Sequence, residues 1–161
     1  MKVGDIMTRT PASCAPETNL AAAVEILWNR NCGILPVVDS HGQVVSVITD
    51  RDICIALGTR NRLAGELTVG DVATQRAICC RADEDVRSAL AEMAEAKVRR
   101  LPVVDADGKL EGLLSMDDVV DRTDLKATVK GNELTSEDVV STLKRLYAAQ
   151  LPRRISKAAA A

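Results

Sequence analysis

The sequence predicts an α/β fold built twice over: two pseudo-symmetric β-α-β-β-α repeats packed together, with an additional helix at the C-terminal end. Three observations carry this. The chain of 161 residues repeats itself at a fixed step, with Leu35-Pro36-Val37-Val38-Asp39 returning as Leu101-Pro102-Val103-Val104-Asp105 and Val3-Gly4-Asp5-Ile6-Met7 as Val69-Gly70-Asp71-Val72-Ala73. Within each copy a helix-period apolar stripe precedes two strand-like runs joined by a glycine turn. Each copy offers only about 55 residues, a marginal size for a lone core, so the two lobes are expected to share a face. Two copies of a short repeat indicate one two-lobed unit rather than a solenoid, and a cleft between the lobes is where a small ligand is expected.

The elements follow in order. Lys2 to Met7 reads as a turn of helix, and residues 8–16, with Pro11 and Pro16, as extended or turn. Asn19 is a cap for a helix whose apolar face is expected to be Leu20, Val24, Leu27 and Trp28. Gly33 is available to stop it. Leu35 to Val38 and Gln43 to Ile48 form a hairpin around Asp39-Ser40-His41-Gly42. Asp50 to Leu57 then reads as a helix that begins among its own acidic residues. The second copy obeys the same plan. Val86, Leu90, Met93 and Ala94 mark its helix, Leu101 to Val104 and Lys109 to Leu114 its hairpin, and Asp117 to Asp121 its closing helix. Thr135 caps a last helix, with Asp138 completing a box-like arrangement and Val139, Leu143, Leu146 and Tyr147 as its stripe. That stripe is expected to pack on the protein's own body or its twin. Pro152 ends the helix, and the chain from Lys157 reads as a frayed tail.

Composition narrows the function. Apolar residues make up 47% of the chain, yet Trp28 and Tyr147 are the only aromatics. The core must be aliphatic, which argues against stacking platforms for single-stranded nucleic acid. A net charge of −2 and short basic clusters, Arg99-Arg100 and the 152–157 tail, argue against nucleic acid as a partner. Five cysteines without a Cys-x-x-Cys pair, and His41 as the sole histidine, do not fit a zinc site. The odd cysteine count and the lack of a secretory signal point to a cytoplasmic protein, with the adjacent Cys79-Cys80 the one candidate for redox chemistry. No apolar run approaches a membrane span. His41 lies in a hairpin turn with no partner implied by spacing, so no enzyme activity is expected.

The repeated Leu-Pro-Val-Val-Asp, the glycine turn and a strand ending in Thr/Ser-x-x-Asp together resemble the CBS domain family. The two copies resemble a tandem CBS pair, or Bateman module, of the small stand-alone bacterial class. The likeness covers residues 1–123: a first repeat at 1–60, a second at 67–123, and the extra helix at 134–150 outside it. The resemblance implies a regulatory or sensor module with no catalytic activity and no catalytic cofactor. Its ligand would be an adenine nucleotide (AMP, ADP or ATP), its oligomeric state a homodimer, and its partner an unidentified effector protein. The alternative is a structural or interaction module with no physiological ligand.

The resemblance also implies site residues. In Gly112-Leu113-Leu114-Ser115-Met116-Asp117-Asp118, Ser115 would touch phosphate or ribose and Asp118 would accept from ribose hydroxyls. A strand end followed at once by a helix start presents free N–H groups that suit an anion. Arg99 and Arg100, directly before Leu101-Pro102, would reach phosphate through guanidinium geometry. Ala77, Ile78 and Cys79 align with the segment that lines the base. In the first copy Thr49 and Asp52 match the phosphate and ribose positions, with Gly33, Ile34 and Arg51 beside them. Ser46 replaces the family's usual glycine and is expected to crowd the strand. Ile34 stands where the second copy has Arg100, so the second site is expected to take phosphate-rich ligands in preference to the first.

Overall fold

A computed structural model describes residues 1–123 and 134–148. After a single 3-10 turn at Val3–Asp5 come β1 (Thr8–Arg9), α1 (Leu20–Asn29), β2 (Ile34–Val38), β3 (Val44–Thr49) and α2 (Asp50–Arg60). The second copy gives α3 (Val69–Val72), β4 (Cys80–Arg81), α4 (Val86–Ala96), β5 (Arg100–Val104), β6 (Leu110–Ser115) and α5 (Met116–Asp121), and α6 (Ser136–Tyr147) closes the described chain. Pro152 and the tail lie outside the described residues.

Local chemistry explains these boundaries. Asn19 Oδ1 accepts from Ala22 N at 2.8 Å and starts α1. Thr49, Thr68, Ser115 and Thr135 each open a helix with a reciprocal box to an aspartate three residues on. In both hairpin turns one aspartate holds two amides: Asp39 Oδ1 accepts from His41 N and Gln43 N, and Asp105 Oδ1 from Asp107 N and Lys109 N. Gly42 and Gly108 take positive φ there, where a side chain would be strained.

The two copies exchange their leading segments. Val3 N donates to Glu84 O at 3.0 Å and Gly4 N to Ala82 O at 2.9 Å, while Val69 N donates to Thr18 O and Gly70 N to Pro16 O, both at 2.8 Å. This explains the repeated glycine. A Cβ at Gly4 would stand 3.1 Å from Ala82 O, and one at Gly70 3.2 Å from Pro16 O. The exchange continues in the sheets. β1 of the first copy adds to the edge of the second copy's sheet, giving the order β1-β6-β5-β4. Reciprocally, Arg76 bridges Ser46 beside the β2-β3 hairpin, and Cys14 bridges Val37 on its other side. The two hairpin turns also meet, through Val44 N to Gly108 O at 3.0 Å and Gln43 Nε2 to Asp107 O at 2.8 Å.

Two aliphatic cores result, and each contains residues lent by the other copy. One gathers Cys14, Leu20, Ala23, Leu27, Leu35, Val37, Ile48 and Ile53 with Leu67 and Val69. The other gathers Val86, Leu90, Met93, Leu101, Val103, Leu114 and Val119 with Val3 and Met7, and takes Leu134, Val139 and Leu146 from the C-terminal element. Cys14 and Cys80 are buried packing groups, and burial pushes their thiols up to about 11 and about 12 respectively.

Two sequence expectations change. The α1 face is Leu20, Ala23 and Leu27; Val24 is 43% exposed and Trp28 84% exposed, because nothing in the described chain lies over that side of α1. At the equivalent positions of α4, Leu90 and Ala94 are buried beneath α6. Ser46 does not crowd its strand either. A Cβ on its counterpart Gly112 would meet Met7 Sδ at 2.5 Å and Thr8 O at 3.0 Å. The residue that corresponds to Met7 in the other copy is Ala73, which leaves room for Ser46, and the Ser46 hydroxyl donates to Gln75 O at 2.7 Å.

Candidate functional site

The exchange creates a cleft of about 680 Å³ with three walls. The first wall is the junction of β3 and α2, with Thr49, Asp50, Arg51 and Asp52, together with Gly33 and Ile34 at the start of β2. The second is the segment from Val72 to Ile78, held against β3 by the Ser46–Arg76 bridge and by Ala77 N donating to Val45 O at 3.4 Å. The third is Ala96 to Arg100 with Pro102, joined by Leu146 and Tyr147 from the end of α6. This volume suits a drug-sized or nucleotide-sized molecule.

At the first wall, Thr49 N and Thr49 Oγ1 both donate to Asp52 Oδ2, at 3.0 and 2.6 Å, and Asp52 N donates to Thr49 Oγ1 at 3.2 Å. The box fixes the carboxylate and leaves its other oxygen without a hydrogen bond among the described residues. Five cationic side chains, Arg51, Arg76, Lys97, Arg99 and Arg100, line the cleft against the two carboxylates Asp50 and Asp52. Arg51, Arg76 and Arg99 have no carboxylate at ion-pair distance among the described residues. Arg100 leans out to the exposed Asp117 at 3.7 Å. An ion pair that open to water contributes little, so it leaves the guanidinium available to an incoming anion. The field in the cleft therefore favours a negatively charged guest.

The structure gathers Gly33, Ile34, Thr49, Arg51, Asp52, Ala77, Ile78, Arg99, Arg100 and Pro102 along this one cleft. It does not bring Cys79, Leu101, Ser115, Asp117 or Asp118 to it. Leu101 is fully buried in the core, and Cys79 is half-buried with its thiol raised by burial and by Glu92. Ser115 and Asp118 form their own box, with Ser115 Oγ donating to Asp118 Oδ2 at 2.6 Å, beside β1, where Thr8 Oγ1 lies 3.4 Å from Asp118 Oδ1. Sequence order had grouped Ala77 to Cys79 and the two arginines with Ser115 and Asp118. The strand exchange instead sets Ala77, Ile78, Arg99 and Arg100 opposite Thr49 and Asp52. Arg76, Lys97, Leu146 and Tyr147 were not anticipated. Arg76 carried a signal, since it corresponds to Thr10 just after β1 and so belongs to the exchanged segment.

Among the described residues no group of three or more His, Cys, Asp or Glu is placed to hold a metal ion, and no helix is long and apolar enough to cross a membrane.

Known proteins share both the sequence pattern and the architecture. The sequence model of the CBS domain matches residues 3–59 and again 69–124. Over 117 residues the chain is 29% identical to L-aspartate semialdehyde sulfurtransferase of Methanocaldococcus jannaschii, covering 73% of this chain and 22% of that protein. It is 32% identical over 116 residues to inosine-5'-monophosphate dehydrogenase of Mycobacterium tuberculosis, covering 71% of this chain and 21% of the dehydrogenase. The chain thus spans about a fifth of the length of these two enzymes. Among solved structures, CBSX2 of Arabidopsis thaliana in complex with AMP superposes with a TM-score of 0.66 at 33% identity, covering 74% of this chain and 93% of that one. The CBS domain pair of protein MJ0100, in complex with 5'-methylthioadenosine and S-adenosyl-L-methionine, gives 0.68 at 28% identity, covering 75% and 94%. With two matches in tandem, each falling on one of the exchanged copies, this chain belongs to the CBS domain family as a tandem CBS pair.

Proposed function

We propose that the chain is a regulatory module that binds an adenine nucleotide in the cleft between its two CBS repeats and has no catalytic role of its own. The observation that carries this is the convergence on one cleft of a boxed aspartate with a spare carboxylate oxygen and five cations. The aspartate suits the vicinal hydroxyls of a ribose, and the cations suit phosphates. The AMP complex of CBSX2 and the S-adenosylmethionine complex of MJ0100 support an adenosine-bearing ligand. The five free cysteines accord with a reducing cytoplasm.

Isothermal titration with AMP, ADP, ATP and adenosine tests the reading, with thermal melting alongside. Saturable binding is expected, tightening from adenosine to ATP, weakening as salt rises and raising the melting point. No heat and no thermal shift with any of the four would overturn it.

The exposed side of α1 supports a homodimer. Val24, Trp28, Cys54 and Leu57 border an open apolar groove between α1 and α2. In the second repeat the equivalent face is already covered by α6, which shows that this side of the unit takes a packed helix. A second copy presenting the same face would bury Trp28 around a two-fold axis. Sedimentation should give a dimer for the wild type and a monomer for Trp28→Glu; a wild-type monomer at tens of micromolar would contradict it. An effector protein would then read the ligand-dependent state of that dimer.

A further inference from the structure

The element outside the two repeats reaches the cleft. α6 lies along α4, fixed at its start by Arg87 Nε to Asp138 Oδ2 at 3.4 Å and along its length by Val139, Leu143 and Leu146 in the core. At its other end the Lys97 ammonium donates to Arg145 O. Lys97 ends α4 in the left-handed region, with φ 59°, and the chain from Lys97 to Arg100 forms a wall of the cleft. The docking therefore delivers Leu146 and Tyr147 to that wall. Leu146 is buried, whereas Tyr147 is 37% exposed and open to the cleft.

Tyr147 is the one tyrosine of a chain with a single tryptophan and no phenylalanine, and Trp28 lines the neighbouring groove on α1, not the cleft. Every other apolar side chain on the cleft, including Ile34, Val47, Ile78 and Val98, is aliphatic. A purine has a flat polarisable face, and an aromatic ring is the partner that adds attraction beyond burial of area. We infer that Tyr147 is a ligand-contacting residue whose ring stacks on the base, so that occupancy of the cleft and docking of the C-terminal helix are coupled. This rests on the cleft being the adenine-nucleotide site. By linkage, whatever strengthens α6 docking tightens the ligand, and the ligand in turn holds α6 in place.

The test compares the whole 161-residue chain as wild type, Tyr147→Phe and Tyr147→Ala by titration with AMP. Circular dichroism and melting serve to establish that both variants fold. Tyr147→Phe is expected to bind within about twofold of wild type, and Tyr147→Ala roughly tenfold more weakly. Hydrogen exchange should show amides in 136–147 slowing when AMP is added to wild type, and slowing less in Tyr147→Ala. Equal affinity of Tyr147→Ala and wild type would overturn the inference while leaving the cleft as the site. Equal losses in Tyr147→Phe and Tyr147→Ala would overturn stacking, because the hydroxyl would then be the contact. A wild type that binds no AMP, ADP or ATP would remove the functional reading itself, and this inference with it.

Discussion

The two repeats share a plan and differ at three places that matter. In the first, Val24 and Trp28 leave one side of α1 bare; in the second, Leu90 and Ala94 occupy the same positions under α6. In the first, Ser46 sits where Ala73 leaves space; in the second, Gly112 is required by Met7. In the first, Ile34 precedes the Leu-Pro step; in the second, Arg100 does, and its head reaches the cleft wall built by the first. A duplicated unit has thus divided its labour. One half keeps an open apolar face and gives the cleft its boxed aspartate, Asp52, and the other carries the extra helix and supplies much of the positive charge.

The burial contrast yields the largest expected effect. Leu90→Ala removes a side chain that is 2% exposed and should cost about 2–5 kcal/mol in chemical denaturation. Val24→Ala, at the equivalent position, should cost less than about 1 kcal/mol when both are compared in the monomeric Trp28→Glu background. Similar losses at both positions would show that the bare face is covered by something within one chain.

The packing contrast comes next. Gly112→Ser should destabilise by roughly 1–3 kcal/mol, because the new Cβ meets Met7 and the carbonyl of Thr8. Met7→Ala alone empties a buried core position and should itself cost about 2–5 kcal/mol, but combined with Gly112→Ser it recreates the Ala73–Ser46 pairing, so the double variant should lose less than the sum of the two single losses. A double variant whose loss equals the sum of the two single losses would break this account of why one copy has serine and the other glycine.

The charge contrast is read by ligand rather than by stability. Arg100→Ala should weaken ATP about tenfold and leave adenosine nearly unchanged, the mark of a phosphate contact. Ile34→Ala should change the two ligands alike. Equal losses of ATP and adenosine in Arg100→Ala would refute its role.

The smallest expected effect is on pH. Burial pushes the Asp138 carboxyl up, but the bonds from Thr135 and the nearby Arg87 outweigh it and hold it below its ordinary value of 3.8. A carboxyl depressed in the folded state stabilises fully above its unfolded pKa and loses that contribution as pH falls through the folded one. Docking of α6 should therefore loosen only below about pH 4, seen as faster hydrogen exchange across 136–147. Asp138→Asn should abolish this pH dependence.

Much of the fold was legible because each signal was local. Asn19 and Thr135 capped the helices expected of them, Gly42 and Gly108 closed the hairpins, and the step of repetition gave both copies at once. The α1 face was misread because Leu20, Val24, Leu27 and Trp28 have helical spacing whether or not a neighbour covers all four. The partition of the cleft was out of reach for a different reason. Sequence order placed Ala77 beside Ser115 within one repeat, and only the long-range bridge of Arg76 to Ser46 reveals that it faces Thr49 instead. Tyr147 read as part of a core stripe because its register fits one. Its place on the cleft depends on where α6 ends along α4.

The account stands on one cleft made by both repeats, and photolabelling measures that directly. Irradiating the protein with 8-azido-ATP and sequencing the modified peptides should place the label on the segments around Val72–Ile78 and Lys97–Pro102, with or without Tyr147, and excess ATP should prevent it. Label that ATP protects but that falls wholly beside Ser115, or on the α1 groove around Trp28, would contradict the site proposed for this protein.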